Sequence, residues 1–339
     1  MTEGSPRSAG APMQRHESRA MGSPLRLTLA SSGGDDAWNA VRDEFESAEV
    51  AMSRFRASSE LTRLNASAGS GRLLIVSGRL RAALAAAERA RRLTAGRFDP
   101  RVLDDLNRLG YRGATLPTTH AGGVRRTLPG TAAIRRLGRW QVGLDRPIDL
   151  GGIGKGLTLR WAAARLERLG LGDFLLEAGG DIVARGAPPD TDAWTVAIED
   201  PLDRGSALAA VAVPRTGGAV ATSSVRVHRW QVDGRSVHHL LDPATGEPGA
   251  TGLLAVTVAG SDPAWAEVWS KTLFLVGAVD IASEARARGL AAWWVEADGT
   301  LAMTPDARLR TAWVAAEDPP EAEAAAVADA RRGGLVATG

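Results

Sequence analysis

Residues 147–186 read PIDLGGIGKGLTLRWAAARLERLGLGDFLLEAGGDIVARG. PIDL (147–150) is short and β-like and carries an acid, Asp149. Glycines at 151, 152 and 154 make a turn. Lys155 then heads a helical run to Leu169, with Leu157, Trp161 and Ala164 on one stripe and Gly170 as the stop. The segments DFLLEA and DIVARG flank Gly179-Gly180 and spell a β-hairpin. A strand and a helix followed by a hairpin break the regular alternation of a doubly wound parallel sheet. The stretch therefore predicts an α+β fold.

The flanking sequence extends this pattern. PLRLTLA (24–30) predicts a strand, and Trp38 to about Met52 a helix carrying Val41, Phe45 and Val50 among acids. Ser77 is placed to cap a helix running to about Leu93 and closed by Gly96. WQVGL (140–144) is a further short strand. Beyond the quoted stretch strands dominate: ALAAVAV, GAVATSS, HRWQV and SVHHLLD, with Asp233-Gly234 as a type I′ hairpin signal. LLAVTVAG (253–260) precedes a helix capped by Ser261 or Asp262, with Pro263 at its first position and Gly277 at its end. A second helix follows, and AAWWVEADGTLAMT turns at Asp298-Gly299. Residues 1–15 and 317–339 are small, polar and without an apolar face. They are expected to be disordered ends around a folded domain spanning 16–316.

Composition narrows the function classes. The chain has 339 residues, 44% hydrophobic and 24% charged, with a formal net charge of +2. Its basic pI of 9.6 reflects arginine's high pKa, and no long block of one sign points to nucleic acid. There is no cysteine, which leaves no disulfide, thiolate metal site or lipid-modified cysteine. The first twenty residues hold no signal-peptide core, and no run of about eighteen apolar residues occurs. The expectation is a cytoplasmic protein with no membrane span. Of 41 basic residues only Lys155 and Lys271 are lysine, and both fall in segments with chemical potential.

Three segments carry that potential. Asp149–Gly156 enters a helix through glycines, so unpaired N–H groups and a positive helix end face outward, a fit for phosphate. It matches neither a P-loop nor G-x-G-x-x-G, and a plain tight turn with a solvent-exposed lysine is the alternative. In His238-His239-Leu-Leu-Asp242-Pro-Ala-Thr245-Gly246, strand alternation sends the two histidines to opposite faces and rules out a paired metal site. One of them near a carboxylate would suit proton transfer; the alternative is a turn whose side chains bond their own backbone. Glu267 and Lys271, four apart on a helix, read locally as an ion pair of about 0.2–0.5 kcal/mol. His16, His120 and His228 show no ligand spacing, and Trp293-Trp294 reads as strand packing.

Taken together and in order, these segments resemble the ApbE family. The resemblance runs through Met21-Gly22-Ser23, MSRFRASSELTRLN (52–65), AGRFDP (95–100), LGY (109–111), IDLGGIGKG (148–156), LEAGGDIVARG (176–186), GAVATSS (218–224), HLLDPATG (239–246) and AEVWSKTLFLVG (266–277). It implies a T-fold-like architecture of mixed antiparallel sheets and packed helices, in two lobes around a flavin cleft. It also implies an FAD:protein FMN transferase: a Thr or Ser hydroxyl of an acceptor protein attacks the FMN-side phosphorus of FAD and AMP leaves. Family acceptors carry a short Ser/Thr flavinylation motif. Met21, Phe55, Leu109, Gly110, Tyr111, Asp149, Lys155 and Leu241 match positions that contact FAD. Phe55 stands where many relatives have tyrosine. Lys155 would face the phosphates, His239 would take the hydroxyl proton, and Asp242 and Thr245 would shape the turn.

The departure lies at the metal. The family binds Mg²⁺ through a backbone carbonyl matching Gly152 and through helix positions that here are Glu267, Ser270 and Lys271. A protonated lysine cannot ligate and repels a divalent ion beside it. Two arrangements meet this departure: a shifted, wetter Mg²⁺ site with Lys271 turned aside, or the Lys271 ammonium standing in the vacated position. FAD pyrophosphatase activity and non-catalytic FAD binding are the alternative functions.

Overall fold

The computed structural model describes residues 13–30, 34–111, 134–137, 140–203, 205–226, 228–249, 251–315 and 336–337. Among them, eight strands form one sheet whose spatial order follows chain order. They are β1 (Gln14–Ala20), β2 (Ser23–Leu29), β3 (Phe174–Ala178), β4 (Asp181–Arg185), β5 (Gly218–Ser224), β6 (Leu253–Gly260), β7 (Ala291–Glu296) and β8 (Leu301–Met303). Every neighbouring pair is antiparallel, so the α+β expectation holds. Antiparallel neighbours need no crossover helix. The long helices are instead insertions: α1 (Gly34–Met52), α2 (Gly78–Leu93) and α3 (Gly154–Arg168) between β2 and β3, and α4 (Pro263–Val276) between β6 and β7.

Both faces of the sheet are covered, which is why its central strands are apolar at consecutive positions. On β3, Phe174, Leu176 and Ala178 pack with Leu159, Ala162, Ala163 and Leu166 of α3 and Phe45 of α1. Leu175 points the other way, into a cluster with Trp194, Val196, Val211 and Val213 of a second, four-stranded sheet. Trp293 and Trp294 divide in the same manner. Trp293 joins the second sheet and donates its indole N–H to Thr311 Oγ1 at 3.0 Å, whereas Trp294 packs with Leu273 and Phe274 of α4.

Local signals place the termini of these elements. Ser77 accepts from the Leu80 amide at 3.2 Å and caps α2. Asp262 accepts from Ala264 and Trp265 and caps α4, with Pro263 next. Asp233 and Gly234 take φ of 48° and 75°, as a type I′ turn between the paired strands 229–232 and 235–238 requires.

The structure corrects two expectations and bears on two more. Chain expected to be loose through residue 15 is strand from Gln14; β1 is polar and held by its ladder to β2, with His16 stacked on Trp38 at 5.6 Å. The expected tail lies outside the described residues except Val336-Ala337, which pair in parallel with strand 193–199. PIDL is not a strand: the Asn65 side chain donates to the Ile148 carbonyl at 2.9 Å and accepts its N–H at 3.0 Å, replacing a strand partner. On α3 the expected stripe is only one of two buried faces: Leu157 is in one core cluster with Trp161, partly exposed under the Arg79 guanidinium, packed against it, and Leu159, Ala162, Ala163 and Leu166 bury a second face. No helix among the described residues is long and apolar enough to cross a membrane.

The joint that matters for the site is where α3 meets α4. A methyl group at Gly156 would come 2.5 Å from the Ala264 Cα and the Pro263 carbonyl oxygen, both backbone atoms. Gly156→Ala is therefore expected to destabilise the protein by about 1–3 kcal/mol through overpacking. Urea unfolding checks this, and an unchanged midpoint would show that the helices part without cost.

Candidate active site

An open cleft lies beside the glycine turn. One wall is Asp149, Gly151 and Gly152, leading into α3; a second is His239, Leu241 and Pro243, following the 229–238 hairpin. Arg97, Phe98, Asp99, Val102, Leu106, Tyr111 and Lys271 complete the lining. Asp99 fixes the first wall. It accepts from the Arg101 amide at 2.9 Å and pairs with the Arg101 guanidinium, holding the turn at Pro100 whose carbonyl accepts the Asp149 N–H at 2.7 Å. Asp149 itself pairs with Arg54 Nε at 3.1 Å. The second wall is a turn of the expected kind: Asp242 Oδ1 accepts from the Ala244 amide at 2.9 Å, and Thr245 Oγ1 from the Glu247 amide at 3.2 Å.

His239 lies in an aromatic group. Its ring stacks on Tyr111 with centroids 5.9 Å apart and meets His228 edge-on at 4.8 Å. Tyr111 also stacks on Trp230 at 5.2 Å. Burial, then the charge of Lys271 and the neighbouring His228, hold the His239 pKa well below the usual 6.5, so the ring is neutral at neutral pH. Its Nδ1 is buried without a hydrogen-bond partner. Burial and then Asp149 push the Tyr111 phenol up to about 12. His238 takes the other side of the chain, edge-on to Phe274 at 5.9 Å.

Beneath the turn, Lys155 does not point to solvent. Its ammonium donates to Asp181 and lies 3.4 Å from Glu267 Oε1, while Glu267 Oε2 accepts the Gly156 N–H at 2.8 Å. Burial opposes the Lys155 charge, but the two carboxylates outweigh it and raise its pKa. Burial also raises the Glu267 carboxyl to about 7, against the opposing pull of Lys155. Glu267 thus pairs across helices with Lys155, and the intrahelical pair with Lys271 read from spacing does not form. Packing of α3 on α4 brings Lys155 to that carboxylate instead.

The remaining sequence-derived candidates gather nearby. Met21 sits in the β1–β2 turn at φ 51°, its N–H donated to Glu49 and its methyl 3.9 Å from where a side chain on Gly154 would begin. Phe55 is 58% exposed, with the Arg54 guanidinium 4.2 Å over its ring and Tyr111 edge-on at 6.4 Å. The Leu109 carbonyl accepts the Trp230 indole N–H at 2.7 Å, Gly110 turns at φ 75°, and Leu241 packs on both Leu109 and Trp230.

A chain with this fold and cleft is matched by a protein-family model, described as the ApbE family, over residues 21–294. The chain belongs to the ApbE family. Among curated ApbE-related proteins, an FAD:protein FMN transferase of Klebsiella pneumoniae (strain 342) is 30% identical over 182 residues, covering 53% of this chain and 52% of that protein. One from Salmonella typhimurium is 31% identical over 155 residues, covering 46% of this chain and 44% of that protein. The aligned region thus spans about half the length of these curated relatives. Two solved structures share the fold. The flavinyl transferase ApbE of Pseudomonas stutzeri, apo form, has a TM-score of 0.77 at 24% identity, covering 90% of this chain and 98% of that one. The ApbE protein of Thermotoga maritima has a TM-score of 0.76 at 23% identity, covering 88% and 99%.

The residues that the ApbE resemblance assigns to Mg²⁺ do not fit a divalent ion here. Both oxygens of Glu267 are engaged, and Ser270 Oγ donates to the Glu267 carbonyl at 3.0 Å and lies 2.9 Å from Ser223 Oγ. A methyl at Gly152 would stand 2.8 Å from the Lys271 ammonium. No group of three or more His, Cys, Asp or Glu placed to hold a metal occurs among the described residues.

Several site residues carry no signal of their own in the sequence. Arg54, Phe98 and Asp181 sit inside segments of the ApbE resemblance but belong to no motif with an obvious chemistry. His228 was accessible to reasoning: with Asp233-Gly234 as a two-residue turn, Arg229 pairs with His238, and continuing that register sets His228 opposite His239. His120 lies outside the described residues.

Proposed function

We propose that this protein transfers FMN from FAD to a Ser or Thr hydroxyl of an acceptor protein carrying a flavinylation segment. The observation that carries the reading is that the glycine turn and the histidine-bearing segment, far apart in sequence, line one cleft. Phosphoryl-type transfer requires positioning, neutralisation of the diphosphate and a proton acceptor for the nucleophile.

Each requirement has a residue in place. Tyr111, with Phe55 and Arg54 beside it, offers a stacking surface for a flat ring system. The Gly151–Gly152 backbone, which lines the cleft, receives the diphosphate. Neutral His239 accepts the proton as the acceptor oxygen bonds to the FMN-side phosphorus; the bond from that phosphorus to the bridging oxygen breaks, and AMP departs with the electron pair. Asp149 is held by Arg54 to orient a polar edge of FAD. Lys155 acts from behind the turn by fixing Asp181 and Glu267, which in turn hold the Gly156 N–H.

Incubation with FAD and a candidate acceptor tests the reading. AMP together with a covalently fluorescent acceptor is the expected result. AMP with free FMN would instead mean hydrolysis, and bound FAD without AMP would mean binding alone.

A pH profile tests the role of His239 separately. Because its pKa is depressed, the base form is already complete at neutral pH, and protonation removes it only on acidification. The kcat/KM for AMP release is expected to be flat around neutrality and to fall below the ordinary imidazole range. A profile rising through 6.5, the usual histidine value, would exclude the depressed base.

A further inference from the structure

The two lysines of this arginine-rich chain converge on one site but have different circumstances. Lys155 is enclosed by Asp181 and Glu267. Lys271, one turn further along α4 than Glu267, faces the cleft together with Asp149, Gly151, Gly152 and His239. Every acid around it is committed elsewhere: Glu267 and Asp181 to Lys155, and Asp149 to Arg54. Among the described residues Lys271 makes no ion pair within 4.0 Å. The Gly151 and Gly152 amides likewise donate to no described residue.

We propose that the Lys271 ammonium takes the place of a divalent ion at Gly152 and that this chain binds the diphosphate of FAD without metal. The inference rests on the transferase reading of the cleft.

Three features of the geometry carry it. Lys271 reaches Gly152 closely enough that a methyl there would meet Nζ at 2.8 Å and Cδ at 3.1 Å, so the stem as well as the charge fills that space. An ion of charge two placed there would meet the ammonium at contact distance, with no carboxylate free to offset the repulsion. An anionic diphosphate reverses the balance, because it supplies the counter-charge the ammonium lacks and accepts from the two free amides. Lysine, a compact point charge on a flexible stem, fits a position built for a small ion where the arginine fork would not. In a chain whose positive charge is otherwise arginine apart from Lys155, this gives Lys271 a physical reason.

Two measurements on the full chain test the proposal. Flavin-fluorescence titrations with FAD in EDTA and in excess Mg²⁺ are expected to give the same Kd. Mn²⁺ added to FAD-loaded protein is expected to stay free by electron paramagnetic resonance. Lys271→Met, which keeps the stem, should weaken FAD binding on the order of ten- to hundredfold and leave riboflavin binding, which involves no phosphate, unchanged. Stoichiometric Mn²⁺ binding, or FAD binding that requires Mg²⁺, would overturn the ammonium assignment and leave the transferase reading intact. Absence of saturable FAD binding in every condition would instead remove the transferase reading, and the inference with it. The Mn²⁺ result needs no variant and stands even if Lys271→Met fails to fold.

Discussion

His239→Ala is expected to slow FMN transfer by about 10²–10⁴-fold, the usual contribution of a positioned general base, while FAD remains bound. In the proposed reaction the imidazole, held neutral and lining the same cleft as the glycine turn, takes the proton of the incoming hydroxyl. The flavin-stacking surface does not depend on it, because Tyr111 is held from its other neighbours by Trp230 at 5.2 Å and by Arg54 at 5.1 Å from its ring. The effect should therefore appear in the single-turnover rate of AMP release at saturating acceptor and much less in FAD affinity. A variant releasing AMP within tenfold of the parent, with its FAD titration unchanged, would remove His239 from the reaction. A loss of FAD affinity matching the loss of rate would assign the ring to binding instead.

Lys155→Met carries the largest expected cost in stability, about 3–5 kcal/mol, as found when one member of a buried ion pair is removed. Asp181 and Glu267, 1% and 5% exposed, would be left without their shared cation. The pH dependence separates this cause from simple loss of packing. Glu267 already sits near 7, above its unfolded 4.5, and losing Lys155 moves it higher. A carboxyl with a raised folded pKa binds more protons folded than unfolded, so acidification towards the unfolded value stabilises the folded state. In urea unfolding the deficit of the variant relative to the parent should shrink as the pH falls towards about 7, where the parent's Glu267 also takes up its proton, and stay level below that. A deficit independent of pH would show that the two carboxylates are not the reason.

Much of the architecture was legible because it rests on short-range chemistry. Ser77 and Asp262 cap helices through amides two or three residues away, Asp233-Gly234 sets a hairpin register, and the glycine pair at 179–180 turns β3 into β4. The segments of the family resemblance also brought most of the cleft into view, including Asp149, Tyr111 and His239. β1 escaped notice because a polar strand held by its ladder leaves no apolar pattern, and PIDL misled because Asn65 takes a strand's place.

Chain order, element type and the residues able to do chemistry could be read from the string of amino acids, since each depends on neighbours a few positions away. The partner of each lysine could not. Spacing along α4 favours Glu267 with Lys271, yet Gly156 lets α3 close on α4 and delivers Lys155 and its own N–H to Glu267, 111 positions away. That one backbone approach leaves the Lys271 ammonium facing the cleft, because charge pairing is settled by through-space distance and burial, and these exist only once the helices have packed.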